Sequence, residues 1–308
     1  MKEKPAFSPY FALFIATLAV STSAILVKLS DAPASIIATY RLLFTILFML
    51  PFVIWKHLGE IRFISLRDWC FSSLAGVFLA MHFILWFESL NYTSVASSVV
   101  LVTLQPLFSF VGAYVFFKER VTPAGIAGGL LAIAGSVFIG WSDFRIGGTA
   151  LFGDILALLG AATVTGYWLF GQSVRKRLSL MMYTFVVYTI STIVLLMYDI
   201  ALGFDLFPYS GQDWLVFIGL AIFPTLLGHT VFNWTIKWLS ANTISMAILG
   251  EPIGAAILAY CILGENVTAA QAIGTAVILC GIYLFMQFNR PDKIQLSSEN
   301  DQSDAAAK

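Results

Sequence analysis

Displaced by 146 positions, this sequence lies over itself. Ser94, Pro106, Ala113, Tyr114, Glu119, Val121, Thr122, Ala124, Gly128 and Gly135 fall without a gap on Ser240, Pro252, Ala259, Tyr260, Glu265, Val267, Thr268, Ala270, Gly274 and Gly281. Each copy reads as a long apolar helix with one proline near its middle, a short turn (KERVT at Lys118 to Thr122, GENVT at Gly264 to Thr268), and a second apolar helix dotted with glycine. A period of that length is half a domain, too long for a solenoid unit. The chain must therefore fold as two copies of one helical unit.

The solvent for those units follows from composition: 59% of residues are hydrophobic and 11% charged. A soluble domain could not hide that much apolar surface, and duplication of membrane helices is a mark of secondary transporters. Zero net charge leaves no basic patch for nucleic acid. Cys70, Cys261 and Cys280 stand singly in apolar segments, without metal-ligand or disulfide spacing, and read as packing residues.

Runs able to cross a hydrocarbon core of ~30 Å, which takes about 20 helical residues, occur ten times: about Tyr10 to Leu29, Ile36 to Trp55, Trp69 to Leu90, Val95 to Phe117, Gly125 to Trp141, Phe152 to Gly171, Met181 to Leu202, Trp214 to Ile236, Ala241 to Leu263 and Ala269 to Phe288. They are continuous where a barrel strand would alternate, so the expected class is all-α. Residues 1–9 read as an N-terminal segment before a retained first helix. The first five-helix repeat is expected over 10–141, the second over 152–288, and a disordered polar tail over 289–308.

With the N-terminus in the cytoplasm, 14 of the 17 Lys and Arg fall on the cytoplasmic side, leaving Lys28 and Arg145 outside and Arg41 within a helix. The expectation is a multi-pass plasma-membrane protein with both termini cytoplasmic. Five helices per half is an odd number, so the second half must enter the membrane with opposite polarity, as an inverted repeat. The turns agree: KER, expected inside, is basic, whereas its mate GEN, expected outside, has lost both cations.

From about residue 10 to 288 the chain resembles the ten-helix EamA-type members of the drug/metabolite transporter superfamily. The markers are Arg41 in ATYRLLF, the junction FESLNYTSVASSVVLVTLQPLFSF, the terminators FFKERVT and ILGENVT, and Gly250-Glu251-Pro252. The resemblance implies alternating-access movement of small metabolites, often export of amino acids or related compounds, from a cavity between the halves. It names no substrate.

Strongly polar groups at membrane depth are costly and by default face the bundle interior or a water-filled path. Glu251, just before Pro252 in the ninth helix, reads either as a proton-coupling or substrate-ammonium site or as a structural carboxyl. Its mate is Gln105 before Pro106, which cannot titrate. The two prolines are expected to bend their helices. His82 and His229 occupy nearly matching positions, Trp86 sharing a face with the first and Asn233 with the second. Each histidine could exchange a proton or simply bond a neighbouring helix. Tyr167 and Trp168 could add an aromatic wall or face lipid, and Trp234 could anchor at the interface. Arg41, in the outer part of its helix, has a stem long enough to reach toward the interface and reads as a salt link or helix-end contact, with binding of a substrate carboxylate as the alternative. Glu88 reads as an external gate or a solvated helix end. Thr17, Ser21, Thr22 and Ser23 would line the path or cement helices, and the repeated glycines would let helices pack closely. Helices four and nine are expected to cross near the pseudo-two-fold axis.

No P-loop, GxSxG or paired metal-ligand cluster is present, so neither nucleotide-driven transport nor an enzyme is expected, and no cofactor is implied. The partners read from the sequence are the bilayer, a small-molecule substrate and protons. An uncoupled facilitator is the alternative within transport. A membrane-embedded enzyme or sensor is the alternative outside it.

Overall fold

The computed structural model describes residues 5, 7–93, 95–140, 148–263 and 269–289. Among them all regular structure is helical, because backbone groups in lipid must be satisfied without water and a helix bonds its own. Ten spans follow in order: α1 (Pro9–Lys28), α2 (Ala34–Phe63), α3 (Leu66–Ser89), α4 (95–117), α5 (Pro123–Gly140), α6 (Gly148–Val174), α7 (Leu180–Leu202), α8 (Gly211–Thr235), α9 (Ala241–Ile262) and α10 (Ala269–Phe288). Eight are long and apolar enough to cross a bilayer, while α5 and α10 carry shorter apolar stretches, Pro123–Phe138 and Ala272–Phe288. The second span runs past its expected end at Trp55 by a π turn and a 3₁₀ turn. The GENVT turn, Arg145 and residues 290–308 of the polar tail lie outside the described residues.

The packing has the symmetry that the duplication demands. Helix α3 lies along α6, and its counterpart α8 lies along α1. In the same way α4 packs on α6 and α9 on α1, while α2 meets α7, α4 meets α9 and α5 meets α10. Exchanging the halves maps this set of contacts onto itself. Because each half has an odd number of helices, the two-fold axis lies in the membrane plane.

Repeated glycines make the α5–α10 contact close. A Cβ on Gly281 would lie 2.4 Å from the Ala132 amide nitrogen, one on Gly128 2.7 Å from that of Phe285, and one on Gly135 2.8 Å from that of Ile278. The obstacle in each case is backbone, which cannot step aside, so the small-residue spacing sets the helix separation.

Three spans are broken rather than bent. Helix α1 divides into Pro9–Val20 and Ser23–Lys28, α4 into Val95–Val102 and Gln105–Phe117, and α9 into Ala241–Ile248 and Glu251–Leu258 before a terminal π turn. The expected proline kinks in α4 and α9 are thus full interruptions. Gln105-Pro106 and Glu251-Pro252 open new helical segments, where proline's missing N–H is no loss. Hydroxyls from the first helix of the opposite half reach the carbonyls at these breaks. Ser21 Oγ shares its proton between Thr17 O in its own turn and Glu251 O, 3.2 Å away. Thr165 Oγ1 does the same between Ala161 O and Gln105 O, 3.4 Å away. Gly254 allows the α1–α9 approach, since a Cβ there would meet Ser21 Oγ at 2.2 Å. Thr17 and Ser21 of the α1 polar patch therefore cement helices, each reaching a carbonyl of α9. Helix α8 is instead widened into a π-helix, Ala221–His229, around Pro224.

The turns α2–α3, α4–α5, α6–α7 and α8–α9 share one end of the bundle and carry its cations, so that end is the basic face. Serines cap the helices that start there, Ser65 on α3, Ser179 on α7 and Ser240 on α9, each accepting a backbone N–H three residues on. Asp68 in the first turn of α3 is held by Arg177 from the α6–α7 turn, through Nε at 2.9 Å and Nη2 at 2.5 Å. Its mate Asp213, in the capping box that opens α8 at the far face, accepts from Ser30 Oγ at 2.6 Å and from the Asp31 N–H at 3.3 Å. Each half thus ties its third helix to the other half's first connecting turn, once at each face.

The cysteines depart from expectation. All three are exposed, on the outer wall and not in packing positions.

Candidate functional site

The breaks in α1, α4 and α9 and the widened α8 converge on one central cavity of about 20 Å³, lined by Val20, Ser23, Arg41, His82, Trp86, Val102, Gln105, Val164, Trp168, His229, Phe232, Ile248 and Glu251. That is room for about one water. Larger clefts lie toward each face: about 440 Å³ at the basic face, beside Glu119, Lys176 and Asn242, and about 500 Å³ at the far face, beside Ser35, Glu88 and Tyr198.

Six sequence-derived candidates meet in this cavity: Glu251, Gln105, His82, Trp86, His229 and Trp168. Gln105 is fully engaged, its Oε1 accepting from Trp168 Nε1 at 3.2 Å and its Nε2 donating to Val102 O at 3.3 Å. The Glu251 carboxylate has no hydrogen-bond partner among the described residues, although it is only 6% exposed. His82 Nδ1 lies 3.0 Å from Gly160 O, so that nitrogen carries the proton of the neutral ring. The His82 ring stacks on Trp86 at 5.5 Å and the His229 ring on Trp168 at 5.7 Å, which makes the wall largely aromatic.

Arg41 corrects the sequence reading. It does not reach the interface and makes no salt link among the described residues; it is wholly buried and lines the cavity. Its Nε donates to Thr225 Oγ1 at 2.6 Å and its Nη1 to Ser23 Oγ at 3.1 Å, and its guanidinium lies over the Phe83 ring at 4.4 Å. Its Nη2 has no partner, and neither do Trp86 Nε1 and His229 Nδ1. A buried polar group left unpaired costs about 1–3 kcal/mol, so these three atoms are open to a polar partner in the cavity. The signal for Arg41 was present in the sequence, as the one cation that counting placed inside a helix. Ser23, which helps orient it, was legible as part of the polar patch of α1, whereas Thr225, its other partner, carries no such signal.

The remaining candidates stand elsewhere. Tyr167 and Asn233 lie one layer behind the cavity: Asn233 Nδ2 donates to Tyr167 Oη and, at 2.8 Å, to His229 O. Glu88 borders the far-face cleft and accepts from Asn91 Nδ2 at 3.3 Å. Trp234 stacks against Phe7 with ring centroids 4.5 Å apart, away from the cavity. At the basic face Gln172 bridges Glu119 Oε1 and the Ala241 N–H, each at 2.6 Å, tying the α4–α5 turn to the start of α9. Burial there pushes the Glu119 carboxyl above its ordinary range. Sequence reading passed over Asp199 of α7, a fully buried acid that accepts from Thr39 Oγ1 at 2.6 Å. Among the described residues no group of His, Cys, Asp and Glu could hold a metal ion.

Comparison with known proteins finds relatives over most of the chain. An uncharacterized transporter of Bacillus subtilis, YdfC, is 25% identical over 265 residues, 84% of each chain. A probable terminal-alkyne amino-acid exporter of Streptantibioticus cattleyicolor is 26% identical over 60% of this chain and 62% of its own. The riboflavin transporter ImpX of Fusobacterium nucleatum is 21% identical over 65% and 69%. A solved crystal structure superposes with a TM-score of 0.75 over 92% of this chain and 97% of its own at 19% identity, a likeness of fold. The model of the EamA-like transporter family matches twice, over residues 7–141 and 151–287. The chain is a member of the EamA-like transporter family.

Proposed function

We propose that this transporter exports a small amino-acid-like zwitterion across the plasma membrane by alternating access, in exchange for protons. One observation carries the reading: Arg41 and Glu251 line the same buried cavity without bonding each other. The unpaired Nη2 of Arg41 suits a substrate carboxylate. The unpartnered Glu251 carboxylate suits the ammonium, and Trp86, Trp168 and Phe232 suit an apolar or aromatic side chain. One carboxylate cannot hold both a proton and an ammonium group. Substrate therefore displaces the proton from one side and a proton displaces substrate on the other, which is antiport. The narrow cavity between two larger clefts fits an occluded step of that cycle, with access gained when either face parts.

The cation bias favours a cytoplasmic basic face, hence cytoplasmic termini. The amino-acid exporter among the relatives supports the substrate class and direction, and the riboflavin transporter measures how far the family ranges.

The test is transport by purified protein in liposomes against a panel of amino acids and their decarboxylated and deaminated analogues. Saturable transport that needs both the carboxylate and the ammonium, and that is accelerated by a proton gradient opposed to substrate flow, is expected. Equal transport of the singly charged analogues would remove the zwitterion reading, and indifference to the gradient would make the protein a facilitator.

A further inference from the structure

The outer wall of the bundle carries a further cleft, of about 410 Å³, where α3, α4 and α6 diverge toward the basic face. We propose that it binds one anionic phospholipid of the adjoining leaflet, its phosphate on the Arg67 guanidinium and one acyl chain along the phenylalanines below.

The lining is apolar from end to end apart from its mouth: Arg67 and Ser173 stand at the top, with Phe71, Phe170, Phe116 and Phe78 beneath. Phe116 is 68% exposed, so the cleft opens outward to where lipid must lie. Its depth suits a lipid tail. Arg67 and Phe78 are separated by eleven residues of continuous helix, about 16 Å at 1.5 Å per residue, close to half of a hydrocarbon core of ~30 Å. The exposed Phe63 and Leu66, immediately before Arg67, mark the level of the interface. The floor is kept open by a glycine: a Cβ on Gly166 would meet the Phe78 ring at 2.8 Å and drive it into the cleft.

Charge selects the headgroup. Arg67 is exposed and makes no ion pair among the described residues, because the neighbouring carboxylate of Asp68 is taken up by Arg177 and Ser65. Its guanidinium is held 5.1 Å from the Phe71 centroid, at the mouth of the cleft. A cation so placed and in no ion pair among the described residues favours an anionic over a zwitterionic headgroup by about fivefold.

The experiment is native mass spectrometry of the full chain, released from detergent after incubation with equal amounts of phosphatidylglycerol and phosphatidylcholine of identical acyl chains. The wild type should retain phosphatidylglycerol about fivefold over phosphatidylcholine in the first bound lipid. Arg67→Ala should equalise the two, and Arg67→Lys should keep part of the preference. Ser173→Phe, which fills the cleft, should cut retention of both about tenfold. Unchanged melting in lipid-free detergent shows that each variant is folded; should Ser173→Phe melt early, Gly166→Ala takes its place. Wild-type selectivity in Arg67→Ala, full retention in the folded filled variant, or displacement of the lipid by a transported substrate would each overturn the proposal, the last by making the cleft a substrate portal.

Discussion

The two halves of this protein share a scaffold and differ in charge. A shift of 146 brings Gln105-Pro106 onto Glu251-Pro252, and both pairs open the second segment of a broken helix. Yet the amide of Gln105 is bonded to Trp168 and Val102, while the carboxylate of Glu251 is left unbonded. The opposite asymmetry holds at Arg41. A shift of 145 or 146 lands on Val186 or Val187, so the second half has no such cation. Each half thus contributes one ionisable group that the other lacks, and the two meet in the cavity. Duplication supplied the symmetric frame, and divergence at single positions supplied polarity to the site. A cavity with both charges doubled would hold two buried cations and two buried acids, each costly at membrane depth.

The largest effect should follow from Arg41→Ala, which removes the first half's charge. Losing a charge-assisted hydrogen bond of about 1.5–3 kcal/mol lowers kcat/KM for a carboxylate substrate about 10- to 100-fold. Liposome assays should show transport of substrates without a carboxylate much less affected. Glu251→Gln makes the halves alike at this position. Stimulation by the proton gradient should vanish while exchange at equilibrium partly persists, and adding Gln105→Glu should not restore coupling, because that side chain is already held by Trp168. Full restoration would show the two positions to be interchangeable.

The two ties between halves sharpen the comparison further. Asp68→Asn breaks an ion pair at the basic face, whereas Asp213→Asn weakens neutral-donor bonds at the far face. In a cysteine-free background, labelling of Thr243→Cys in the basic-face cleft should rise about fivefold with Asp68→Asn, and about twofold or less with Asp213→Asn. Equal effects would make the ties structural and not face-specific. The smallest change is expected from Pro252→Ala. The neighbouring Gly250 and the Ser21 hydroxyl already hold the break, so turnover should slow only about twofold, a few tenths of a kcal/mol. An unchanged turnover would make the proline incidental.

The sequence alone carried the class and the plan. Ten apolar runs, a duplication and an odd number of helices per half are properties of composition and order, and a bilayer leaves such a chain few alternatives to paired helical bundles. Glu251, Gln105, His82, His229, Trp86 and Trp168 were legible for a related reason: polar or bulky groups at membrane depth are few, and each is a candidate by its cost. Depth, however, does not fix direction. Whether Arg41 extends along its helix to the interface or turns inward depends on whether hydroxyls such as Ser23 and Thr225, 18 and 184 residues away, are brought within reach of its guanidinium. Proline announced a bend, but how the span breaks there also depends on its contacts with the facing helix, such as that of Ser21 Oγ with Glu251 O, whose partners are 230 residues apart in the chain. Sequence period determined what had to be buried, and tertiary packing decided which buried groups face one another, because hydrogen bonds and close contacts are set by distances in space that chain order does not encode.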